Sequence, residues 1–121
     1  MNNSKNIFDK LKNDKTDTIL VVIEVPNGSD IKYEVDHNSG LLFVDRKLFT
    51  SMRYPCNYGF IPNTLEGDGD PVDVLVLGDF TLTPFSILKA KPIGVLLTQD
   101  EKGKDSKIIA IPDKKIDQSY S

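Results

Sequence analysis

Alternating apolar and polar residues predict a series of short β-strands between residues 19 and 111. Six segments have this character, and turn-forming residues separate them: ILVVIEV (19–25), IKYEVD (31–36), LLFVDRKLF (41–49), VLVL (74–77), ILKAKPIGVLL (87–97) and KIIAI (107–111). Short strands with turn signals between them, and almost no helical periodicity, are typical of an antiparallel barrel. The pattern therefore predicts a mainly β fold that closes, or nearly closes, into an antiparallel barrel.

The segments between these strands are expected to be loops. Residues 1–18 form a polar N-terminal segment, in which Ile7, Phe8 and Leu11 have the spacing of a short amphipathic helix. Residues 50–73 contain three prolines and three glycines and predict a long structured loop, and 98–105 predicts a polar turn. We expect one barrel domain over residues 19–121, preceded by the segment 1–18.

Composition narrows the class of protein. The chain has 121 residues, which is enough for one domain, and its net charge of −3 argues against a nucleic-acid partner. A single cysteine, Cys56, rules out an internal disulfide and agrees with a reducing compartment. The longest apolar run, 19–23, is far too short to span a membrane, and the N-terminus lacks a signal-peptide core. We therefore expect a cytoplasmic protein with no membrane association.

The sequence DGDPVD (68–73) crowds three carboxylates, Asp68, Asp70 and Asp73, against a buried strand. Two such charges about 4 Å apart repel by roughly 1 kcal/mol in water, and by more in a less polar environment. A divalent cation would offset this repulsion, and Mg²⁺ prefers oxygen ligands. The alternatives are a solvated acidic turn or an EF-hand loop. The EF-hand pattern fits poorly, because Asp79 stands where the twelfth-position glutamate should be.

A second acidic group contains Asp100, Glu101 and Asp105, with Lys107 two residues further on. Taken alone, it resembles a charged surface hairpin. Two acidic loops on one small barrel can instead meet to hold several cations about 3.5–4 Å apart, as in enzymes of phosphoryl transfer. The two groups together therefore point to a multi-metal site.

Charged residues also interrupt the predicted strands. Glu24 lies in an otherwise apolar strand, where an unpaired charge would be costly to bury. Lys32 and Glu34 share the polar face of the second strand, and Arg46 ends an apolar stretch of the third. Surface salt bridges of small energetic value are the alternative interpretation of these last three residues.

The sequence YPCNYGFIPNT (54–64) contains two tyrosines, Tyr54 and Tyr58, four positions apart. Their hydroxyls can donate to an anion, and the alternative is a packed loop with half-buried rings. Cys56 has no basic residue near it in sequence, so we interpret it as a small buried hydrophobe. His37 lies in a predicted turn, and we expect it to be solvent-exposed.

These motifs, taken in order, resemble the family I inorganic pyrophosphatases, and the bacterial members most closely. The resemblance rests on the following segments in sequence order: VVIEVP (21–26), IKYEVD (31–36), LFVDR (42–46), YPCNYGFIPNT (54–64), DGDPVDV (68–74), DE (100–101) and DSK (105–107). It extends over roughly residues 19 to 115. It implies a five-stranded, OB-like closed barrel that hydrolyses pyrophosphate to two phosphates with several Mg²⁺ ions.

The resemblance also assigns roles to individual residues. The implied metal-binding residues are acidic: Asp68, Asp70, Asp73, Asp100, Asp105, Glu24 and Glu101. The implied substrate-binding residues surround the phosphate oxygens or complete the pocket: Lys32, Arg46, Tyr58, Lys107, Glu34 and Tyr54. Asp70 is implied to be the general base, with Tyr58 and Arg46 assisting catalysis. Because these carboxylates alone would repel pyrophosphate, the metal ions are needed to reverse the sign of the field.

This sequence departs from the family pattern in one respect, and two alternative functions stay open. Members of the family continue into a C-terminal helical region with a Tyr-Lys pair near the substrate, whereas this sequence ends at Ser121. Bacterial members are hexamers of identical chains, so a homo-oligomer is expected. A metal-binding fragment without turnover is one alternative. Another is an OB-like module in which Tyr33, Phe43, Tyr54 and Tyr58 stack the bases of a single strand, although the acidic loops and the net charge oppose it.

Overall fold

Seven strands account for the regular structure that the computed structural model describes, namely residues 17–49, 51–62, 71–100 and 103–116. In chain order they are β1 (Ile19–Val25), β2 (Ile31–Val35), β3 (Leu42–Lys47), β4 (Asn57–Phe60), β5 (Asp73–Val76), β6 (Ile87–Asp100) and β7 (Gly103–Pro112). These ranges contain no helix, and so none with the length and hydrophobicity that would carry it across a membrane. The predicted mainly β class is confirmed.

Five of the strands close into a barrel in the order β1-β4-β5-β7-β6. The predicted five-stranded closed barrel is thus confirmed, but one of its pairings is not antiparallel. Strand β5 pairs with β7 in parallel, with Asp73 opposite Lys107 and Val76 opposite Ala110. The reason is geometric: strand directions cannot alternate all the way round a closed ring of five, so one neighbouring pair must be parallel.

Strands β2 and β3 form a separate two-stranded sheet, called here the hairpin. Its register shifts because Lys32 lies opposite Arg46 whereas Tyr33 lies opposite Val44, which leaves Asp45 as the extra residue of a β-bulge. The carboxylate of Glu24 on β1 accepts a hydrogen bond of 2.8 Å from the backbone N–H of Val35. This bond ties the hairpin to the barrel.

Strand β1 is buried on both of its faces, as its nearly continuous apolar sequence predicts. Val21 and Ile23 point into the barrel, where they pack in one cluster with Val74, Val76 and other buried side chains. Val22 points the other way, into a second cluster with residues of the hairpin and β4. At about 25 cal/mol per Å² of buried apolar surface, these two clusters supply the main driving force for folding.

Two loop predictions were wrong in part. Residues 50–73 were expected to be a loop, but β4 lies inside this segment and pairs with both β1 and β5. The predicted turn 98–105 shrinks, because β6 continues to Asp100 and β7 begins at Gly103. The N-terminal helix predicted around Ile7 lies outside the described residues.

A buried asparagine connects the loop after β1 to the loop after β5. The Asn57 side chain is fully buried, and its Oδ1 accepts hydrogen bonds of 2.9 Å from the backbone N–H groups of Asn27 and Leu82. Its Nδ2 donates to the Phe80 carbonyl at 3.0 Å. One buried side chain therefore bonds two backbone N–H groups and one backbone carbonyl.

The contact between β1 and β4 predicts an unequal response to two glycine substitutions. In Gly59→Ala the new methyl group would meet the Val22 carbonyl oxygen far inside van der Waals distance, whereas at Gly94 no atom lies within 4 Å of it. We expect Gly59→Ala to lower the free energy of unfolding by at least about 2 kcal/mol, and Gly94→Ala to change it by less than about 1 kcal/mol. Urea denaturation followed by circular dichroism measures both, and equal losses would contradict the packing described.

Substitution of Asn57 is predicted to destabilise the chain strongly. Asn57→Ala removes an acceptor shared by two backbone N–H groups, and each buried unsatisfied group costs about 1–3 kcal/mol. We therefore expect a loss of about 2–5 kcal/mol in the free energy of unfolding. Asn38→Ala, at an exposed position of the hairpin turn, is the matched control and should stay within about 0.5 kcal/mol of the wild type. A similar stability for both variants would show that the Asn57 bonds contribute little.

Candidate active site

A polar cavity of about 360 Å³ lies between the barrel and the hairpin. Its walls come from β1, from the hairpin, from β4 and from the start of β5. The residues that line it are mostly charged: Glu24, Lys32, Glu34, His37, Asp45, Tyr58, Pro71 and Asp73. Four of these eight residues carry carboxylates, so the cavity has a strongly acidic wall.

Glu24 is the most deeply buried acid of this wall, with 6% of its surface exposed. Burial raises the pKa of Glu24 to about 8 from an ordinary value of 4.5, and the nearby negative charge of Asp73 adds to the rise. The hydrogen bond from Val35 and the charge of Lys32 act in the opposite direction. A carboxylate in this environment favours its neutral form unless a cation comes close to it.

Tyr58 and Asp73 are brought together by the pairing of β4 with β5. Tyr58 is opposite Leu75, and its hydroxyl donates a hydrogen bond to the Asp73 carboxylate. Burial raises the pKa of Tyr58 strongly, and the Asp73 charge adds to this, so the phenol keeps its proton. Burial also raises the pKa of Asp73, although the charge of Lys107 opposes the rise.

Lys107 joins two carboxylates from different strands. Its Nζ lies 3.0 Å from Asp105 Oδ2 and 3.4 Å from Asp73 Oδ2. Burial lowers the pKa of Lys107, but its bond to Asp105 and the charge of Asp73 together raise it above the ordinary value. The same ammonium lies 5.9 Å from the centre of the Tyr58 ring. Lys107 therefore remains charged and holds the two acids close together.

On the hairpin side of the cavity, Lys32 Nζ lies 3.2 Å from Asp45 Oδ2. Both side chains are about one third exposed, so this pair contributes little to stability. Its effect is on orientation, because the bulge at Asp45 turns that carboxylate toward Lys32 and keeps the ammonium at the cavity wall.

Tyr54 and Arg46 adjoin the cavity without lining it. The Tyr54 ring lies 5.7 Å from the Tyr58 ring, centre to centre. Burial raises the pKa of Tyr54, while the positive charges of Lys32 and Arg46 lower it, so Arg46 acts electrostatically on the same corner of the site. The side chain of Arg46 itself is exposed.

The structure brings nine of the predicted site residues into one region. Five of them line the cavity: Glu24, Lys32, Glu34, Tyr58 and Asp73. Lys107 is bonded to Asp73 and also to Asp105. Tyr54 and Arg46 lie beside these residues. Asp68, Asp70 and Glu101 lie outside the described residues, as does the side chain of Asp100. Their convergence on the cavity remains a prediction.

Two polar residues of the cavity were missed from the sequence. His37 was expected to be a solvent-exposed turn residue, but it is half-buried, lines the cavity and packs edge-on against the Phe60 ring. Asp45 was not predicted as a site residue. Arg46 was the predicted site residue of this strand, and strict alternation along LFVDR would place its neighbour Asp45 on the opposite face. The bulge that reorients it has no clear signal in the sequence.

The donor atoms of the cavity suit a hard divalent cation, since they are carboxylate oxygens without thiolates. Among the described residues, however, no three acidic, histidine or cysteine side chains lie close enough to hold an ion by themselves. Glu24, Asp73 and Asp105 are the predicted ligands whose side chains the structure describes, and their role as ligands remains a prediction. Further oxygen ligands would have to come from other residues or from water.

Comparison with known proteins identifies the family. The family model described as inorganic pyrophosphatase matches residues 21–121. The chain is 54% identical over 105 residues to the inorganic pyrophosphatase of Sulfolobus acidocaldarius, and 57% identical over 103 residues to that of Aquifex pyrophilus. It also superposes on a solved structure of the inorganic pyrophosphatase of Helicobacter pylori with a TM-score of 0.84 and 52% identity.

These matches cover most of this chain but less of the relatives. The alignments cover 87% of the chain against 61% of the Sulfolobus protein, 85% against 58% of the Aquifex protein, and 92% against 67% of the Helicobacter chain. The chain thus spans about three fifths of the length of the curated relatives it matches. The family model covers more than half of the chain, and the ordered motifs fall within the matched range, so this chain belongs to the family I inorganic pyrophosphatases.

Proposed function

We propose that this protein hydrolyses inorganic pyrophosphate to two phosphates and that it requires Mg²⁺. The observation that carries the proposal is a cluster of Tyr58, Asp73, Asp105 and Lys107. Tyr58 and Asp73 of this cluster line one cavity with the buried Glu24 and with Lys32. Fixed carboxylates next to fixed cations are the arrangement that a metal-bound polyanion needs. The names of the relatives, all inorganic pyrophosphatases, support the same substrate.

The proposed metal ligands are the seven acids of the sequence motifs: Glu24, Asp68, Asp70, Asp73, Asp100, Glu101 and Asp105. When bound, the ions supply Lewis-acid activation of a water molecule and neutralise the phosphate oxygens. The chain holds Asp73 in place by a bond from the Tyr58 hydroxyl and a bond from Lys107. A carboxylate fixed in this way loses little entropy when it accepts an ion.

The proposed contacts to phosphate come from cations and hydroxyls around the rim. Lys32 and Lys107 act as point charges, and Arg46 can form a bidentate contact with a phosphate group. Tyr58 and Tyr54 supply phenol hydroxyls, both protonated because their pKa values are raised by burial. Glu34 lines the same wall and completes the proposed pocket. We assign general-base catalysis to Asp70, on the family resemblance.

A second candidate is a chain that binds Mg²⁺ without turnover, because the acidic wall of the cavity can attract a cation by itself. This sequence spans 61% of the Sulfolobus relative, and residues outside that share can contribute to activity in the longer proteins.

The proposed compartment is the cytoplasm, and the proposed assembly is a homo-oligomer, with a hexamer suggested by the resemblance. Exposed apolar side chains on β6, at Ile93, Val95 and Leu97, support an assembly.

Asp70→Asn tests the proposed base. If Asp70 takes a proton from the attacking water, its amide replacement should reduce phosphate release from pyrophosphate by about 10²- to 10⁴-fold at saturating Mg²⁺. Asp79→Asn, an exposed acid nine residues further along, is the matched control and should keep the wild-type rate. Phosphate release is measured colorimetrically, with circular dichroism to confirm that both variants fold. Wild-type turnover in a folded Asp70→Asn variant would remove Asp70 from the mechanism.

Removal of metal tests the requirement for Mg²⁺ and separates the two candidates. Treatment with a chelator should reduce hydrolysis to the uncatalysed rate, and excess Mg²⁺ should restore it, because the acidic wall repels free pyrophosphate. Calorimetry in the same buffer measures the binding of Mg²⁺ directly. Binding without hydrolysis would favour the metal-binding candidate. An unchanged rate in chelator would refute a metal-dependent reaction.

A further inference from the structure

We propose that Asp45 is a positioning residue, whose carboxylate holds the Lys32 ammonium at the hairpin side of the cavity, ready to meet a phosphate oxygen. The inference rests on the proposed function, because it takes a metal-bound diphosphate as the ligand of Lys32. It starts from one contact: Asp45 Oδ2 lies 3.2 Å from Lys32 Nζ, and both residues line the cavity.

The β-bulge of the hairpin brings these two side chains together. Lys32 pairs with Arg46 and the next residue, Tyr33, pairs with Val44, so Asp45 is the extra residue beside the Lys32 pair. A bulge of this kind re-aims the side chain of its extra residue. Regular strand pairing continues on both sides of the bulge, so the hairpin backbone holds Asp45 in place before any ligand arrives.

Other acids in the cavity compete for the Lys32 ammonium. Glu24 and Glu34 line the same wall, and the charge of Lys32 reaches Glu24, whose pKa it lowers. Within the described part of the chain, Asp45 is nevertheless the acid with which Lys32 forms an ion pair. An ammonium that moved to Glu24 would occupy the place that the proposed function gives to a metal ion. Asp45 therefore keeps the lysine apart from the metal-binding acids.

The exposure of the pair fits a role in orientation. The Lys32 and Asp45 side chains are 34% and 39% exposed, so water screens their attraction and the ammonium stays open to a ligand. An ammonium has three N–H donors, and a bond to Asp45 leaves donors for a phosphate oxygen. Lysine has a flexible four-carbon stem, and ordering such a side chain on binding lowers affinity. A lysine already held by Asp45 loses less freedom when the ligand binds.

A double-mutant cycle tests whether Asp45 acts through Lys32. Asp45→Ala should weaken binding of imidodiphosphate, a diphosphate analogue with a P–N–P bridge, by about 3- to 10-fold, the effect of ordering one long side chain. Asp45→Asn keeps an oxygen acceptor and should recover part of this loss. In a Lys32→Met background, which removes the ammonium, Asp45→Ala should weaken binding no further. Calorimetry with Mg²⁺ present measures each affinity.

A second ion pair near the hairpin supplies the matched control. Lys47 Nζ on β3 lies 3.4 Å from Asp30 Oδ2, and neither residue lines the cavity, so Asp30→Ala should keep the wild-type affinity. Unchanged or tighter binding in Asp45→Ala would overturn the inference, because an acid that merely repels the anion gives that result.

An equal loss in the Lys32→Met background would also overturn it, since Asp45 would then act on the metal and not on the lysine. Either result leaves the proposed function intact. If the wild type neither binds the analogue nor hydrolyses pyrophosphate, the proposed function fails and this inference fails with it.

Discussion

The parallel pairing of β5 with β7 is the constraint on which both the barrel and the site depend. It closes the ring of five strands, so that neither β5 nor β7 is left as an unpaired edge. The same register sets Asp73 directly opposite Lys107. The salt bridge between these residues is thus a consequence of barrel closure, and a slip of one residue would turn each side chain to the other face of the sheet.

Much of the fold follows from the sequence pattern, but strand direction and some strand positions do not. The continuous apolar run of β1 correctly indicates a strand buried on both faces. By contrast, β4 lies among prolines and glycines and contains Gly59, which is small enough for β1 to approach closely. The glycine that is typical of a loop is therefore required here by the close approach of β1. Alternation also says nothing about parallel pairing, which here follows only from the odd number of strands.

The candidate site was predicted through ordered motifs more than through local pattern. Asp73 and Lys107 are 34 residues apart in sequence, and only the fold brings them within bonding distance. The order of the motifs predicted that these residues share one site, because this order reflects the fold of a whole family. It failed at His37 and Asp45, whose positions depend on one tight turn and one bulge in the hairpin. Such local irregularities have weak sequence signals and large effects on where a side chain points.

Glu24 shows how structure and chemistry are joined in this protein. Its carboxylate accepts a hydrogen bond that helps attach the hairpin to the barrel. Glu24 is also the most buried acid of the cavity. A purely structural acceptor would be served as well by a neutral glutamine, with no cost of burying charge. An acid here, close to the charges of Asp73 and Glu34, is unfavourable for the isolated fold. The residue makes physical sense when the cavity receives cations, since these favour the charged form that burial disfavours.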